Sequence, residues 1–224
     1  MYFFDLTYLI YVSPAILLGM WASYRVRSTF ARASQVRAGT TGVQAARQIL
    51  DSAGLHQVAI EPIQGHLGDH YDPRHKVLRL SPQVYASDSM AAVGVAAHEA
   101  GHAIQDAKRY LPLVLRNAAV PMANFGSSVS WVLIMLGFFL SKYLIFAGII
   151  AFSFVVIFQI VNLPVEFDAS RRAKLELGNL GIVHHAQQQE VNRVLNAAAM
   201  TYVAATLQSV MTLLYFVIRF AGRR

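Results

Sequence analysis

The stretch 91-AAVGVAAHEAGHAIQDAKR-109 places His98 and His102 four residues apart, with Glu99 directly after the first histidine. Residues i and i+4 share one face of a helix, so both imidazoles can reach one metal ion through neutral ring nitrogens. Glu99 lies about 100° around the helix, where it can accept a proton from a water beside the metal. The stretch therefore predicts a helix with a zinc site, against the alternative of two core histidines that only form hydrogen bonds.

The composition favours a membrane protein. Of the 224 residues, 55% are hydrophobic and 14% are charged, which is too apolar for an ordinary soluble domain. The net charge of +7 fits basic loops beside anionic lipid, because no nucleic-acid motif accompanies it. Cysteine is absent, so any metal must be held by His, Asp or Glu.

Four apolar stretches are long enough to cross the roughly 30 Å of hydrocarbon as helices. Only Ser141 and Lys142 separate the second from the third, which indicates a tight hairpin. The expected organisation is a first transmembrane helix (1–24), a cytoplasmic α+β domain with the HExxH helix (25–117), a transmembrane hairpin (118–163), a cytoplasmic helical segment (164–196), and a fourth transmembrane helix with a basic tail (197–224).

The charge distribution predicts the orientation. Basic residues cluster in 25–117 and in 164–196, whereas the hairpin tip carries only Lys142. The positive-inside rule then places both larger polar regions, and the zinc site with them, on the cytoplasmic side of the plasma membrane. The tail with Arg219, Arg223 and Arg224 conflicts with a fourth full crossing, so the side of the carboxyl terminus stays open.

The first polar region has the pattern of a small α+β domain. Residues 40–55 have apolar positions at helical spacing, with Thr40 or Thr41 as a cap and Gly54 as a stop. VAIEPI (58–63) and KVLRLS (76–81) are predicted strands, followed by a short turn of helix that starts at a proline. Ser87 to Ser89 offer N-caps for the HExxH helix.

A catalytic zinc needs a third protein ligand from the same side of the membrane. The hairpin is an even number of crossings, so NLPVEFDASRRAKLELG (162–178) returns to the side of the histidines. Glu166 is the preferred ligand, at the start of a helix predicted to begin after Pro164. Asp168 is the competitor, and an ordinary first-turn acid is the alternative for Glu166.

HEAGHAIQ, followed by a hydrophobic hairpin and NLPVEFDASRRA, resembles the YugP-like family of zinc-dependent membrane proteases. These proteases are distantly similar to the HtpX-type membrane gluzincins and the CAAX prenyl proteases. The resemblance extends over essentially the whole chain and implies His98, His102 and Glu166 as zinc ligands and Glu99 as the base. HtpX-type relatives have an aspartate four residues after the glutamate ligand, where this chain has Ser170. Ser170 or Asp168 is therefore expected to orient His98.

Further residues are candidates for supporting roles. Tyr202 is a candidate oxyanion donor, with an interfacial tyrosine as the alternative. Ser127 and Thr206 mark polar positions in the spans that predict either a cleft for substrate or helix contacts. KVLRLS is expected to offer a strand edge to an extended substrate. The remaining polar positions are a His/Asp cluster assigned to turn chemistry or a second metal (His66, Asp69, His70, Asp72 and His75) and two solvated histidines (His184 and His185).

Together these features predict a mainly α membrane protein with about four transmembrane helices and a small cytoplasmic zincin-like domain. The predicted function is a Zn²⁺ metalloendopeptidase that acts on membrane or membrane-proximal polypeptides. The alternatives are a scaffold or assembly factor with a structural zinc, and a site-2-type protease with its HExxH inside a span. A transporter is disfavoured, because no buried charge pair or broken-helix repeat is present.

Overall fold

The computed structural model describes residues 6–65 and 68–221. It confirms a mainly helical chain with a small sheet. In chain order the elements are α1 (Leu6–Ala33), α2 (Gly42–Ser52), β1 (Ala59–Pro62), β2 (His70–Asp72), β3 (Val77–Leu80), α3 (Pro82–Tyr85), α4 (Met90–Ala107), α5 (Leu111–Phe139), α6 (Lys142–Asn179) and α7 (His185–Ala221).

The chain forms two compact units. The first, called the helical unit, consists of the chain up to Ala22, Val114–Pro164 and the chain from Met200 onwards. The second, called the mixed unit, consists of Ser23–Leu113 and Val165–Ala199. Helices α1, α5, α6 and α7 each contribute residues to both units.

Among the described residues, four helices are long and apolar enough to cross a membrane, as expected: α1, α5, α6 and the part of α7 from Gln187 to Phe220. Large apolar side chains remain exposed on them, for example Phe125, Phe139 and Tyr143. Helix α6 has 38 residues, which corresponds to about 57 Å and exceeds the roughly 30 Å of hydrocarbon. If α6 crosses a bilayer, a large part of it extends outside the hydrocarbon, where polar side chains are tolerated.

Pro164 lies inside α6, so the expectation of a new helix after it is wrong. Glu166 is consequently in the middle of a long helix instead of its first turn. Proline removes one backbone donor and crowds the carbonyl of the residue four positions earlier, yet membrane helices tolerate this where neighbouring groups compensate. Helix α5 likewise begins at Leu111, earlier than the apolar stretch, and includes Pro121.

The tight hairpin between α5 and α6 is confirmed, with only Leu140 and Ser141 between the two helices. The helices approach closely at Gly126, where an added Cβ would lie 2.3 Å from the carbonyl oxygen of Ala151. A glycine at such a position allows the backbones of two membrane helices to pack in direct contact.

The polar side chains of the helical unit mostly bond to helix carbonyls. Ser127 and Ser128 are exposed and donate to the carbonyl of Asn124, at 3.0 and 3.1 Å. Thr206 donates to the carbonyl of Tyr202 on its own helix and to that of Gln159 on α6. The second bond is a contact between helices, and the predicted substrate cleft stays a prediction.

In the mixed unit, α2 begins at the predicted cap. The Thr41 hydroxyl accepts from the backbone N–H of Gln44, and the Gln44 side chain accepts from the N–H of Thr41 at 3.0 Å. This reciprocal capping box satisfies two donors at the helix start. Gly54, at a φ of 73°, ends the helix in the left-handed conformation that glycine favours.

The three-stranded sheet has the order β1-β3-β2, with β1 parallel and β2 antiparallel to β3. The expectation that KVLRLS offers a free edge is wrong, because β3 is paired on both sides. Strand β2 includes His70 and Asp72 of the His/Asp cluster, for which the sequence predicts turn chemistry or a second metal instead of a strand. Its short run of polar residues lacks the apolar alternation that identifies a strand.

Helix α4 is the centre of the mixed unit's core. Of the predicted candidates Ser87 to Ser89, it is Ser89 that caps the helix, by accepting from the N–H of Ala92 at 3.2 Å. Alanines and glycines make up half of the helix, and 14 of its 18 residues are buried. At Gly101 an added Cβ would lie 2.7 Å from the carbonyl oxygen of Ala169, so α4 and α6 are in backbone contact there.

The two glycines of α4 give a matched test of this contact. Gly101→Ala should lower the melting temperature, because the methyl group forces α4 and α6 apart and outweighs the helix propensity gain of about 1 kcal/mol. Gly94→Ala is the control, because its Cβ would lie 3.5 Å from Val191 in ordinary contact, and it should raise stability by about 0.4–1 kcal/mol. Thermal unfolding of both variants in detergent is the measurement, and equal stabilisation would contradict the contact.

Candidate metal centre

The structure brings together His98 and His102 of α4 and Glu166 of α6, all in the mixed unit. One ligand atom from each lies within 4.8 Å of the other two. The Oε2 atom of Glu166 is 3.2 Å from Nε2 of His98 and 3.7 Å from Nε2 of His102. The three side chains are largely shielded from solvent, and the two imidazole rings are nearly perpendicular, at 85°.

These distances fit a tetrahedral zinc ion. Ligand bonds of about 2.0–2.2 Å place neighbouring donor atoms about 3.3 Å apart. The two measured nitrogen-to-oxygen separations bracket that value. Two neutral imidazoles and one carboxylate are also the ligand set of many catalytic zinc sites, which leave a fourth position open. The cluster is thus suited to hold one Zn²⁺ without large movement.

Gln105 fixes the orientation of His102. It is fully buried, and its amide nitrogen donates to the carbonyl of Val165 at 2.8 Å and to Oδ2 of Asp168 at 3.0 Å. Because both partners are acceptors, the amide oxygen must face Nδ1 of His102, 3.0 Å away. Nδ1 therefore carries the proton, and the lone pair of Nε2 points at Glu166.

Ser170 is the corresponding partner of His98. Its hydroxyl lies 3.2 Å from Nδ1 of His98, while Nε2 faces Glu166. The serine hydroxyl can accept a hydrogen bond from Nδ1–H, which gives His98 the same tautomer as His102. Of the two residues expected to orient His98, the structure places Ser170 in contact with it.

Asp168 contacts Gln105, which in turn contacts His102. Its carboxylate accepts from Gln105, from Arg172 Nε at 2.5 Å and from Arg171. It lies outside the cluster of three donors, which contains Glu166 instead. The two arginines balance the buried charge of Asp168, and Arg172 also stacks over the ring of Tyr110. Asp168 thus orients His102 through Gln105.

Glu99 is buried beside the two histidines. Its Oε2 accepts from the backbone N–H of Tyr71 on strand β2, at 3.1 Å. Burial raises the pKa of Glu99, and the nearby His98 and His102 oppose this rise only in part. A carboxylate with a raised pKa is a stronger base, which is what a proton acceptor at near-neutral pH requires.

Tyr71 attaches strand β2 to α4 at a second point. Its hydroxyl donates to Oδ2 of Asp106 at 2.7 Å, and Lys76 also pairs with Asp106. Desolvation and the Asp106 carboxylate raise the pKa of Tyr71, so the phenol stays protonated and remains a donor. The edge strand β2 is thus hydrogen-bonded to α4 at two places, the Glu99 carboxylate and the Asp106 carboxylate near the end of the helix.

The pKa of His102 responds to opposing effects. Burial lowers this pKa, while the hydrogen bond to Glu166 and the charge of Glu99 raise it, and the net direction is upward. Because a metal ion must displace the proton from its ligand nitrogen, acidic pH opposes binding at this site.

The other candidate residues are not members of the group of three donors. Tyr202 belongs to the helical unit, and its oxyanion role stays a prediction. In the His/Asp cluster, His66 lies outside the described residues. The described members bond locally: Asp69 to Ser81, His70 to Gly68, and Asp72 to His75 and Arg79. Helix α7 begins at His185, and His184 just before it is exposed.

Sequence analysis missed three residues that support the site: Gln105, Tyr71 and Asp106. A signal for Gln105 existed, because it follows His102 by three residues and therefore shares its helix face. Tyr71 acts through its backbone N–H, and Asp106 through a pairing with β2. Neither contact can be inferred without knowing that β2 is a strand.

The comparisons with known proteins identify the family. Residues 8–221 match the model of a family described as "Putative neutral zinc metallopeptidase". The chain is also 47% identical over 213 residues to the "Putative membrane protease YugP" of Bacillus subtilis (strain 168), covering 94% of this chain and 95% of that protein. No solved structure matches the chain. The chain belongs to this family, as the resemblance of HEAGH and PVEFDAS implied.

Gln105 offers a test of the histidine orientation. Gln105→Leu should weaken zinc binding by about 10–100-fold, because His102 loses the acceptor that fixes its tautomer. The zinc dissociation constant is measured by competition with a chromophoric chelator. Gln48→Leu is the control, since Gln48 is exposed on α2. Unchanged zinc affinity in Gln105→Leu would contradict the assigned role.

Proposed function

We propose that this protein is a membrane-embedded zinc metalloendopeptidase that hydrolyses peptide bonds at the cytoplasmic face of the plasma membrane. His98, His102 and Glu166 hold the zinc, and Glu99 is the general base. The observation that carries this proposal is the arrangement of three donors with a buried carboxylate beside them. A zinc ion bound there supplies a Lewis acid that polarises the scissile carbonyl and acidifies a water molecule.

Glu99 performs the proton transfers in this proposal. Its carboxylate takes the proton of the attacking water and later delivers it to the amide nitrogen of the leaving chain. The raised pKa caused by burial brings its basicity closer to neutral pH. The Tyr71 N–H holds one carboxylate oxygen in place, which limits the rotamers of Glu99. Tyr202 is retained as the proposed oxyanion donor.

The substrate is proposed to be a membrane or membrane-proximal polypeptide. The family relative is named as a membrane protease, and four helices of this chain are suited to a bilayer. Basic residues in 25–117 and 164–196 support a cytoplasmic location of the metal centre. A protease fixed in this way meets chains that emerge from the membrane more often than chains in bulk solution.

A scaffold with a structural zinc is the second candidate. Structural zinc sites usually have four protein ligands, whereas this cluster offers three. A scaffold also has no use for a buried carboxylate next to the ion, because an uncompensated buried charge is destabilising. The position of Glu99 therefore favours catalysis.

A site-2-type arrangement is disfavoured by the surroundings of α4. Within the described residues, α4 is not among the four helices suited to a bilayer. It packs against α2, α3 and the sheet, and it carries Glu99, Gln105 and Asp106 along 18 residues. It has the character of a core helix in a polar domain.

The roles of Glu99 and Glu166 can be separated by two variants. Glu99→Gln should keep about one zinc per chain but lower casein hydrolysis by about 10²–10⁴-fold, because the base is lost. Glu166→Ala should lose both zinc and activity, since a ligand is removed. Zinc content and proteolysis are measured on the same detergent-purified samples. A Glu166→Ala variant that retains full zinc would refute the ligand assignment.

The location of the centre can be tested because the natural chain has no cysteine. Ser52→Cys and Ser141→Cys place single thiols in the mixed unit and in the α5–α6 hairpin. A membrane-impermeant maleimide should label the hairpin thiol in intact cells and the Ser52→Cys thiol only after permeabilisation. Labelling of both before permeabilisation would contradict the cytoplasmic location.

A further inference from the structure

A cavity of about 610 Å³ lies between α6 and α7 within the mixed unit. Gln188, Asn192 and Asn196 of α7 form one wall, and Ser170, Lys174 and Leu175 of α6 line the other. We call it the amide cavity. Its volume is that of a typical ligand site, and its walls contribute none of the three metal donors.

The three residues on α7 form a ladder of amide side chains. They recur every fourth residue, so they share one helix face at intervals of about 6 Å. Each amide offers one acceptor oxygen and two donor hydrogens. Such a ladder matches a ligand with repeating polar groups better than a single compact group.

The hydrogen bonds of the ladder show whether its donor or its acceptor atoms lack partners. The amide nitrogen of Gln188 donates to the carbonyl of Lys174 at 3.1 Å, which fixes Oε1 as the other atom. Among the described residues, Oε1 of Gln188 and Oδ1 of Asn192 are buried without a hydrogen-bond partner. Lys174 Nζ donates to Oδ1 of Asn196 at 2.6 Å. Two adjacent residues of the ladder, both lining the cavity, thus carry acceptor oxygens that lack donors.

This polarity selects an extended polypeptide over an anion. Arg171 and Lys174 of the wall would suit a phosphate or a carboxylate, but they are already paired with Asp168 and Asn196, and two buried acceptor oxygens repel negative charge. In an extended chain, N–H groups on the same side are two residues apart, about 6.6 Å. That spacing is close to the 6 Å between positions of the ladder. Leu175 offers an apolar contact for a side chain.

We propose that the amide cavity binds an extended segment of the polypeptide substrate, whose backbone N–H groups donate to Gln188 and Asn192. The identity of this ligand as substrate rests on the proposed protease function. Ser170 belongs both to the cavity wall and to the metal centre, where its hydroxyl lies 3.2 Å from His98. A segment held in the cavity is therefore anchored beside the zinc ligands, and this anchoring selects unfolded chains.

The test measures binding without cleavage. Fluorescein-labelled β-casein, an unfolded polypeptide, is titrated with full-length Glu99→Gln protein in phosphatidylcholine nanodiscs, and fluorescence anisotropy gives the dissociation constant. In this background, Gln188→Leu/Asn192→Leu should raise the dissociation constant at least about tenfold, because both acceptors are lost. Gln189→Leu is the matched control, since Gln189 is exposed on α7, and it should bind like the parent.

Thermal unfolding separates lost binding from lost folding. The double substitution removes two unpaired buried acceptors, which is stabilising, but it also removes the hydrogen bond from the Gln188 amide to the carbonyl of Lys174, so the melting temperature should change little. A double variant that folds and still binds casein like the parent would overturn the proposal. A further titration uses phosphatidylglycerol nanodiscs and inorganic phosphate as competitor. Ladder-dependent binding of either anion, with casein unaffected, would likewise overturn it in favour of an anion site.

The two proposals can fail independently. If the unsubstituted protein cleaves casein but the ladder substitutions leave binding unchanged, only the amide cavity is refuted. If the ladder substitutions abolish binding but no polypeptide is cleaved, the cavity is a peptide site and the protease function fails.

Discussion

The metal centre depends on the backbone contact between α4 and α6. Gly101 lies against the carbonyl of Ala169, midway along the surface that presents His98 and His102 on one helix and Glu166 on the other. A side chain of any size at residue 101 would move Glu166 away from the imidazoles. Gln105 secures the same contact through its bonds to Val165 and Asp168. One helix pairing thus sets all three ligand positions.

Burial gives this arrangement its chemical character. Glu99, His102, Gln105 and Glu166 all lie in a largely dry interior, where each unpaired polar atom would be destabilising. The structure compensates with partners: Gln105 for His102, Ser170 for His98 and the Tyr71 N–H for Glu99. The remaining excess of negative charge, from Glu99 and Glu166, favours a divalent cation. Electrostatics and ligand geometry therefore agree on the same occupant.

The sequence revealed the parts of the fold that arise from local chemistry. The N-caps near Thr41 and Ser89, the four apolar helices and the helix face shared by His98 and His102 all follow from residue type and spacing. Glu166 was found because an even number of crossings returns the chain to one side. Long-range pairings were not predictable: β2 has no apolar pattern, and KVLRLS became a central strand only because β2 joined it. The prediction that a helix begins after Pro164 was wrong, because a long membrane helix can include a proline whose lost hydrogen bond is compensated.

Two faces of helix α6 have different roles: one packs into the core beside the histidines, and the other lines the amide cavity. Positions 166, 169, 173 and 177 are buried toward the core, where Glu166 meets the histidines and Ala169 meets Gly101. Positions 167, 171, 174 and 178 face the amide cavity. Ser170 lies between the two faces and contacts both the cavity and His98. An aspartate at this position would orient His98 more strongly, but it would also bring a negative charge to the cavity wall. A neutral hydroxyl is compatible with both faces, which gives a physical reason for serine here.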